Sequence, residues 1–135
     1  MSTPAKCRVG KDLSILIARL VVGGFLAAHG AQKLFGAFGG PGLEASAAGF
    51  ERVGLRPGRV KAQVASLSEM GGGGLLALGA AHPVGPVAIA GTMSVASSTH
   101  RSNGAFSVNR GFELPLTNMV AAIVLWSSGP ALALS

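Results

Sequence analysis

Met70–Thr99 reads MGGGGLLALGAAHPVGPVAIAGTMSVASST, with no Asp, Glu, Lys or Arg and with His82-Pro83 near its middle. A second uncharged run, LPLTNMVAAIVLWSSGPALALS, covers Leu114–Ser135. Two such runs leave little of a 135-residue chain for a charged surface. A hydrocarbon layer about 30 Å thick needs roughly 20 mainly apolar residues per helix. Extended back through Ala62, the first run is long enough for two passes, and His82-Pro83 marks the turn between them. The reading is an all-α integral membrane protein: a four-helix up-down bundle, one domain over residues 1–135. Its spans are expected at about 13–35, 61–81, 83–100 and 113–134.

Composition agrees. Charged residues make up 12% of the chain, about half the share usual in soluble domains. Hydrophobic residues reach 49% and mean hydropathy is +0.52. The 21 glycines sit in an apolar context, where small residues let helix backbones approach closely. The net charge of +6 comes from short basic clusters beside the apolar runs: Lys6, Arg8 and Lys11; Arg52, Arg56, Arg59 and Lys61; Arg101 and Arg110. Cations at span ends meet anionic lipid head groups. No interleaving of basic and aromatic residues marks a nucleic-acid groove, so nucleic acid is not an expected partner. Cys7 is the single cysteine, which excludes an internal disulfide or a Cys-x-x-Cys pair.

The first span resembles a signal-peptide core behind basic residues, but Arg19 inside it argues for a retained helix. Between the first two spans, GAFGGPG stops the helix. LEASAAGFERVGL then places Leu43, Ala47 and Phe50 on one face, the pattern of a short interfacial helix, with an ordinary loop as the alternative. Orientation is contested. The basic residues of the longer connections favour a cytoplasmic location for those connections, whereas the N-terminal cations favour the reverse.

Ionisable residues inside apolar spans are costly, roughly 2.5–3.5 kcal/mol each at the centre on insertion scales, so they need partners or water. Arg19, His29 and Lys33 fall within an arc of about 80° on the first helix. Up-down topology brings His29, Lys33, Glu69, His100, Arg101 and Glu113 toward one end of the bundle. Snorkelling is the plain alternative for Arg19, Lys33, Arg101 and Glu113. Glu69 is the least easily dismissed, being acidic and well inside a span. His29, Lys33, Glu69 and His100 are therefore the candidate binding or proton-relay residues, and Arg19, Arg101 and Glu113 the candidate ion-pair residues. Gly71–Gly74 is read as helix packing, since a phosphate loop needs a following Lys-Ser/Thr. No metal-binding spacing is found, and no catalytic group can be nominated.

The segments ARLVVGGFLAAHGAQKLFGAFGG, FERVGL, SEMGGGGLLALG, MSVASSTHRSNGAF and NRGFELPLTNMVAAIVLWSSGPALALS, in that order, resemble the DoxX family of small bacterial membrane proteins. The resemblance covers roughly Leu13 to Ser135. It is most specific in Arg19, His29, Gly30, Lys33, Glu69, His100 and Glu113. It implies a multi-pass protein of the bacterial inner (plasma) membrane, linked to quinone-reducing sulfur oxidation or to redox and thiol stress. A quinone is the cofactor so implied, and membrane lipid, soluble redox enzymes or further copies of the chain are the partners. The acidic residue usual after the final Gly-Pro of the pattern is absent from ALALS. On this reading the chain is an accessory subunit or quinone-interacting module rather than a self-contained enzyme. Two alternatives stand beside it: a small proton-coupled transporter using Glu69, and a purely structural membrane anchor.

Overall fold

The computed structural model describes residues 5–100, 104 and 113–128, without the side chains of residues 5–8 and 100. Its helices are α1 (Ala5–Phe35), α2 (Gly42–Arg52), α3 (Gly58–Leu78), α4 (Val84–His100) and α5 (Glu113–Ser128), with a short 3-10 turn at Ala37–Gly39. No strand occurs among the described residues. The described residues thus form an all-α bundle. α1 reaches back into the N-terminal tail, further than the apolar run alone suggests. The end of the last expected span, residues 129–134, lies outside the described residues.

Local chemistry sets the helix ends. Gly36 stops α1 at φ 73°, a left-handed conformation that needs no Cβ, and its N–H bonds the Gln32 carbonyl at 3.1 Å. α3 ends three residues before the expected position, at a Schellman turn. Gly79 (φ 70°) donates to Leu76 O at 3.2 Å, and Ala80 donates to Leu75 O at 3.1 Å. Pro86 and Pro115 fall in the first turns of α4 and α5, where the missing N–H has no intrahelical partner to lose. The segment read as helix or loop is a helix: Glu44, Glu51 and Arg52 are exposed, while Ser46 is buried.

The long helices form a ring. α1 packs most extensively on α3, α3 on α4, α4 on α5, and α5 closes weakly on α1, with α2 laid against α1 and α3. Glycine sets the close approach of α1 to α3. A Cβ on Gly23 would lie 2.5 Å from Gly73 O, and one on Gly30 would lie 2.5 Å from Ser66 O. α1 and α3 therefore meet backbone to backbone over about two turns. On the other side of α3, a Cβ on Gly85 of α4 would lie 2.8 Å from Gly72 O. Of the four consecutive glycines, Gly73 faces α1 and Gly72 faces α4, whereas Gly71 and Gly74 face open space.

Large buried apolar side chains are few among the described residues. Leu26, Ile89 and Met93 form one cluster with Ala122; Ile15, Leu76 and Leu125 form a second, and Val22 touches both. The exterior is itself strongly apolar. Leu13, Ile17, Leu20 and Phe25 on α1, Val64 and Leu67 on α3, Val87 and Val95 on α4, and Val120, Ile123 and Val124 on α5 are all exposed. Val9–Phe35 is the one helix, among the described residues, long and apolar enough by itself to cross a membrane.

Candidate functional site

The site begins with α3. Its buried positions Ala62, Ser66, Glu69, Gly73 and Leu76 recur at three- and four-residue spacing, so one face of the helix points into the bundle. Glu69 on that face is 2% exposed. Gly30 of α1 nests between Ser66 and Met70, which puts Glu69 at the height of residue 30. Lys33 lies one turn beyond. Helical side chains lean toward the N-terminus of their own helix, which for Lys33 is toward Glu69. Lys33 Nζ donates to Glu69 Oε1 at 2.5 Å, with the Lys33 side chain 31% exposed.

α2 is fastened over this end of the bundle. Ser46 Oγ donates to Lys33 O at 3.2 Å, satisfying a carbonyl in the last turn of α1. Glu51 Oε1 accepts from Gly58 N at 3.2 Å, placing a carboxylate at the N-terminus of α3, where it meets the positive end of the helix dipole favourably. Glu44 and Arg59 form an exposed ion pair between α2 and α3, a type of contact that contributes little.

A groove of about 770 Å³ opens between α2, α3 and α4. α3 and α4 come close at Gly72 and Gly85, near their connection, and the groove lies toward their other ends. Lys33 and Glu69 line its inner part; Phe50, Val53, Val64 and Val95 form apolar walls; Arg52 and Lys61 stand at the exposed rim. Thr92 and Thr99 add hydroxyls, each already donating to its own helix backbone at 2.9 Å. Lys33 and Glu69 balance one another, and Glu44 and Glu51 are committed elsewhere. Neither Arg52 nor Lys61 lies within ion-pair distance of a carboxylate among the described residues. The groove thus combines an apolar wall, a neutralised polar pair and two further cations.

Of the residues nominated from sequence, Lys33 and Glu69 come together. His29 shares the height of Glu69 but is exposed and outside the groove. His100 ends α4 on the groove side, where Thr99 lines the wall; its side chain, and Arg101 entirely, lie outside the described residues. Glu113 is half-buried at the start of α5, and it is not without a partner. Arg19 is at the opposite end: 2% exposed, partnered, and facing a cavity of about 10 Å³ with His82, Pro86 and Leu125. There His82 Nε2 lies 3.1 Å from Trp126 O, a link between residues 44 apart that sequence reasoning treated only as a turn. Arg52 and Lys61 were legible as span-flanking cations but not as groove residues. Among the described residues no cluster of His, Cys, Asp and Glu suited to a metal is present.

The DoxX family model matches residues 14–101, which takes in Arg19, the Lys33–Glu69 pair and the whole described groove. The chain belongs to the DoxX family. Neither a curated protein nor a solved structure matches it. DoxX proteins are generally membrane-associated, and the apolar α1 fits that setting. In this DoxX chain the matched region also contains the close α1–α3 contact that presents Lys33 to Glu69.

Proposed function

We propose that this DoxX protein is a four-pass protein of the bacterial plasma membrane that binds a quinone in the α2–α3–α4 groove, as the membrane module of a redox assembly. Its exterior supports the membrane part. A soluble protein rarely exposes large continuous apolar patches, and here they run along α1, α3, α4 and α5. α4 and α5, with 17 and 16 described residues, are near the lower length limit for a span, about 17 residues. Both termini share one side in such a topology.

The observation that carries the quinone reading is the Lys33–Glu69 pair at the inner end of an apolar groove. Ligand pockets of about 300–1,000 Å³ pair apolar walls with a few placed polar groups. A quinone needs hydrogen-bond donors at its carbonyls and an apolar path for its tail. The Lys33 ammonium has three N–H donors, of which one is used on Glu69. It can therefore donate to a carbonyl while the carboxylate holds it in place. A soluble partner would supply the electrons. Glu69 as the binding group for a cationic solute is less well supported, because its charge is already met by Lys33 of the same chain.

Equilibrium binding of a short-chain quinone to the purified protein in nanodiscs tests this reading. The comparison is the double variant Lys33→Met/Glu69→Gln, which leaves no uncompensated charge buried. Loss of a charge-assisted hydrogen bond, about 1.5–3 kcal/mol, predicts at least about tenfold weaker binding. Absence of saturable quinone binding by the native protein, or equal affinity in the double variant, refutes it. Gentle solubilisation with identification of co-purifying proteins checks the assembly.

A further inference from the structure

The exposed cations of the groove serve no purpose in quinone binding, and their position suggests another ligand. Arg52 lies at the end of α2 and Lys61 in the first turn of α3, so two exposed cations from different helices line the same groove. Below them Phe50, Val64 and Val95 line an apolar wall, and Val64 and Val95 are themselves half exposed. That exposure leaves the α3 and α4 walls of the groove accessible from outside the bundle. A ligand that engages these two cations as well as the wall must carry an anion at one end and a hydrocarbon chain at the other.

We infer that the mouth of the groove is a binding site for an anionic membrane phospholipid, with Arg52 and Lys61 taking the phosphate and Val64 and Val95 seating an acyl chain. The inference rests on the proposed bilayer setting of the bundle, not on the quinone. Charge complementarity selects this occupant. Arg presents a planar fork of donors matched to phosphate oxygens, and Lys a point charge on a flexible stem. A zwitterionic lipid would bring a second cation to a mouth already positive. Arg56, nearby and also exposed, does not line the groove; Arg59 is paired with Glu44. Only two of the four basic residues in this region are therefore assigned to the lipid.

The test is lipid retention. Full-length protein is stripped in detergent, incubated with mixed phosphatidylcholine and phosphatidylglycerol vesicles, repurified, and its bound lipid counted by mass spectrometry. The native chain is expected to retain phosphatidylglycerol selectively. At about tenfold for each charge-assisted hydrogen bond lost, Arg52→Gln/Lys61→Gln should lower that selectivity roughly 100-fold. Arg56→Gln, which loses only general surface attraction, stays within about fivefold. Val95→Trp, which fills the cleft without changing charge, should also abolish retention. Circular dichroism confirms that each variant is folded. An equal loss in Arg56→Gln shows general surface attraction and overturns the inference, as does full retention in Val95→Trp. Displacement of the lipid by excess inorganic phosphate also overturns it, because a headgroup-only site needs no cleft. A protein that does not enter vesicles defeats the membrane reading itself. Quinone binding that survives Arg52→Gln/Lys61→Gln leaves that reading intact whatever the lipid result.

Discussion

The two halves of the Lys33–Glu69 pair should not be equally costly to remove. Glu69 is 2% exposed and Lys33 31%, so the carboxylate depends on its partner far more than the ammonium does. In Lys33→Met the carboxylate stays in place without a counter-charge. Breaking a buried pair in this way costs about 3–5 kcal/mol. In Glu69→Gln the amide oxygen still accepts from Lys33 Nζ, and the lysine can swing its flexible stem toward the groove mouth and water. The loss is then close to one ordinary hydrogen bond, about 1 kcal/mol. Adding Lys33→Met to Glu69→Gln removes a partner from a neutral amide, about 1–3 kcal/mol, less than the same change costs the native chain. The double-mutant cycle should therefore show a coupling of about 2 kcal/mol, within the range for residues in contact. Reversible unfolding in mild detergent, followed by circular dichroism against denaturant, measures all four corners. A Lys33→Met loss no larger than that of Glu69→Gln, or a coupling under about 0.5 kcal/mol, would mean that the pair does not hold the carboxylate in the bundle.

The glycines offer a sharper packing test. Gly73→Ala should cost about 1–3 kcal/mol through overpacking, because its Cβ would meet Gly23 O at 2.6 Å. Gly71→Ala and Gly74→Ala meet nothing and should be neutral or gain up to about 1 kcal/mol from helix propensity; thermal unfolding distinguishes the three. Ser46→Ala loses the bond to Lys33 O and should cost about 1 kcal/mol, with faster hydrogen exchange in α2 as the local readout. For topology, cysteines at Ala45 and Ala81, both exposed and at opposite ends of the bundle, should be labelled by an impermeant thiol reagent from opposite sides of sealed vesicles, in a Cys7→Ser background. Labelling of both from one side refutes the crossing.

Much of the fold was legible because its signals are local. Uncharged length marks α4 and α5, the Gly- and Pro-rich GAFGGPG stops α1, and helical spacing of Leu43, Ala47 and Phe50 suggested α2 beside a loop; the end of α3 at Gly79, inside an apolar run, was not legible. The candidate site was legible only as a set of residues at one end. The 80° arc holding Arg19, His29 and Lys33 was consistent with any of them meeting a carboxylate. The rotation of α1 about its axis decides among them, and that rotation is set by Gly23 and Gly30 seating on α3. It turns Lys33 inward to Glu69 and leaves His29 exposed. Likewise, four consecutive glycines do not reveal which ones touch a neighbour. That depends on α1 and α4 lying on different sides of α3.

The groove itself follows from an imbalance in those contacts. α1 is held to α3 at two places, Gly23–Gly73 and Gly30–Ser66, which keeps the two helices close from the middle of the bundle to the Lys33–Glu69 end. α4 is held to α3 closely at one place, Gly72–Gly85, next to the turn that joins them. Beyond that point no glycine on α4 meets α3: Gly91 has open space around it. The groove lies beyond that point, lined by Val64 and Glu69 of α3 and by Thr92, Val95 and Thr99 of α4. The cleft therefore lies between α3 and α4 and not between α1 and α3, and α2 is placed to roof it by its bonds to Lys33 O and Gly58 N. Glu69 sits on the helix common to both contacts. It is buried against α1 through Lys33 and lines the groove on the α4 side, so one carboxylate joins the close α1–α3 contact to the cleft.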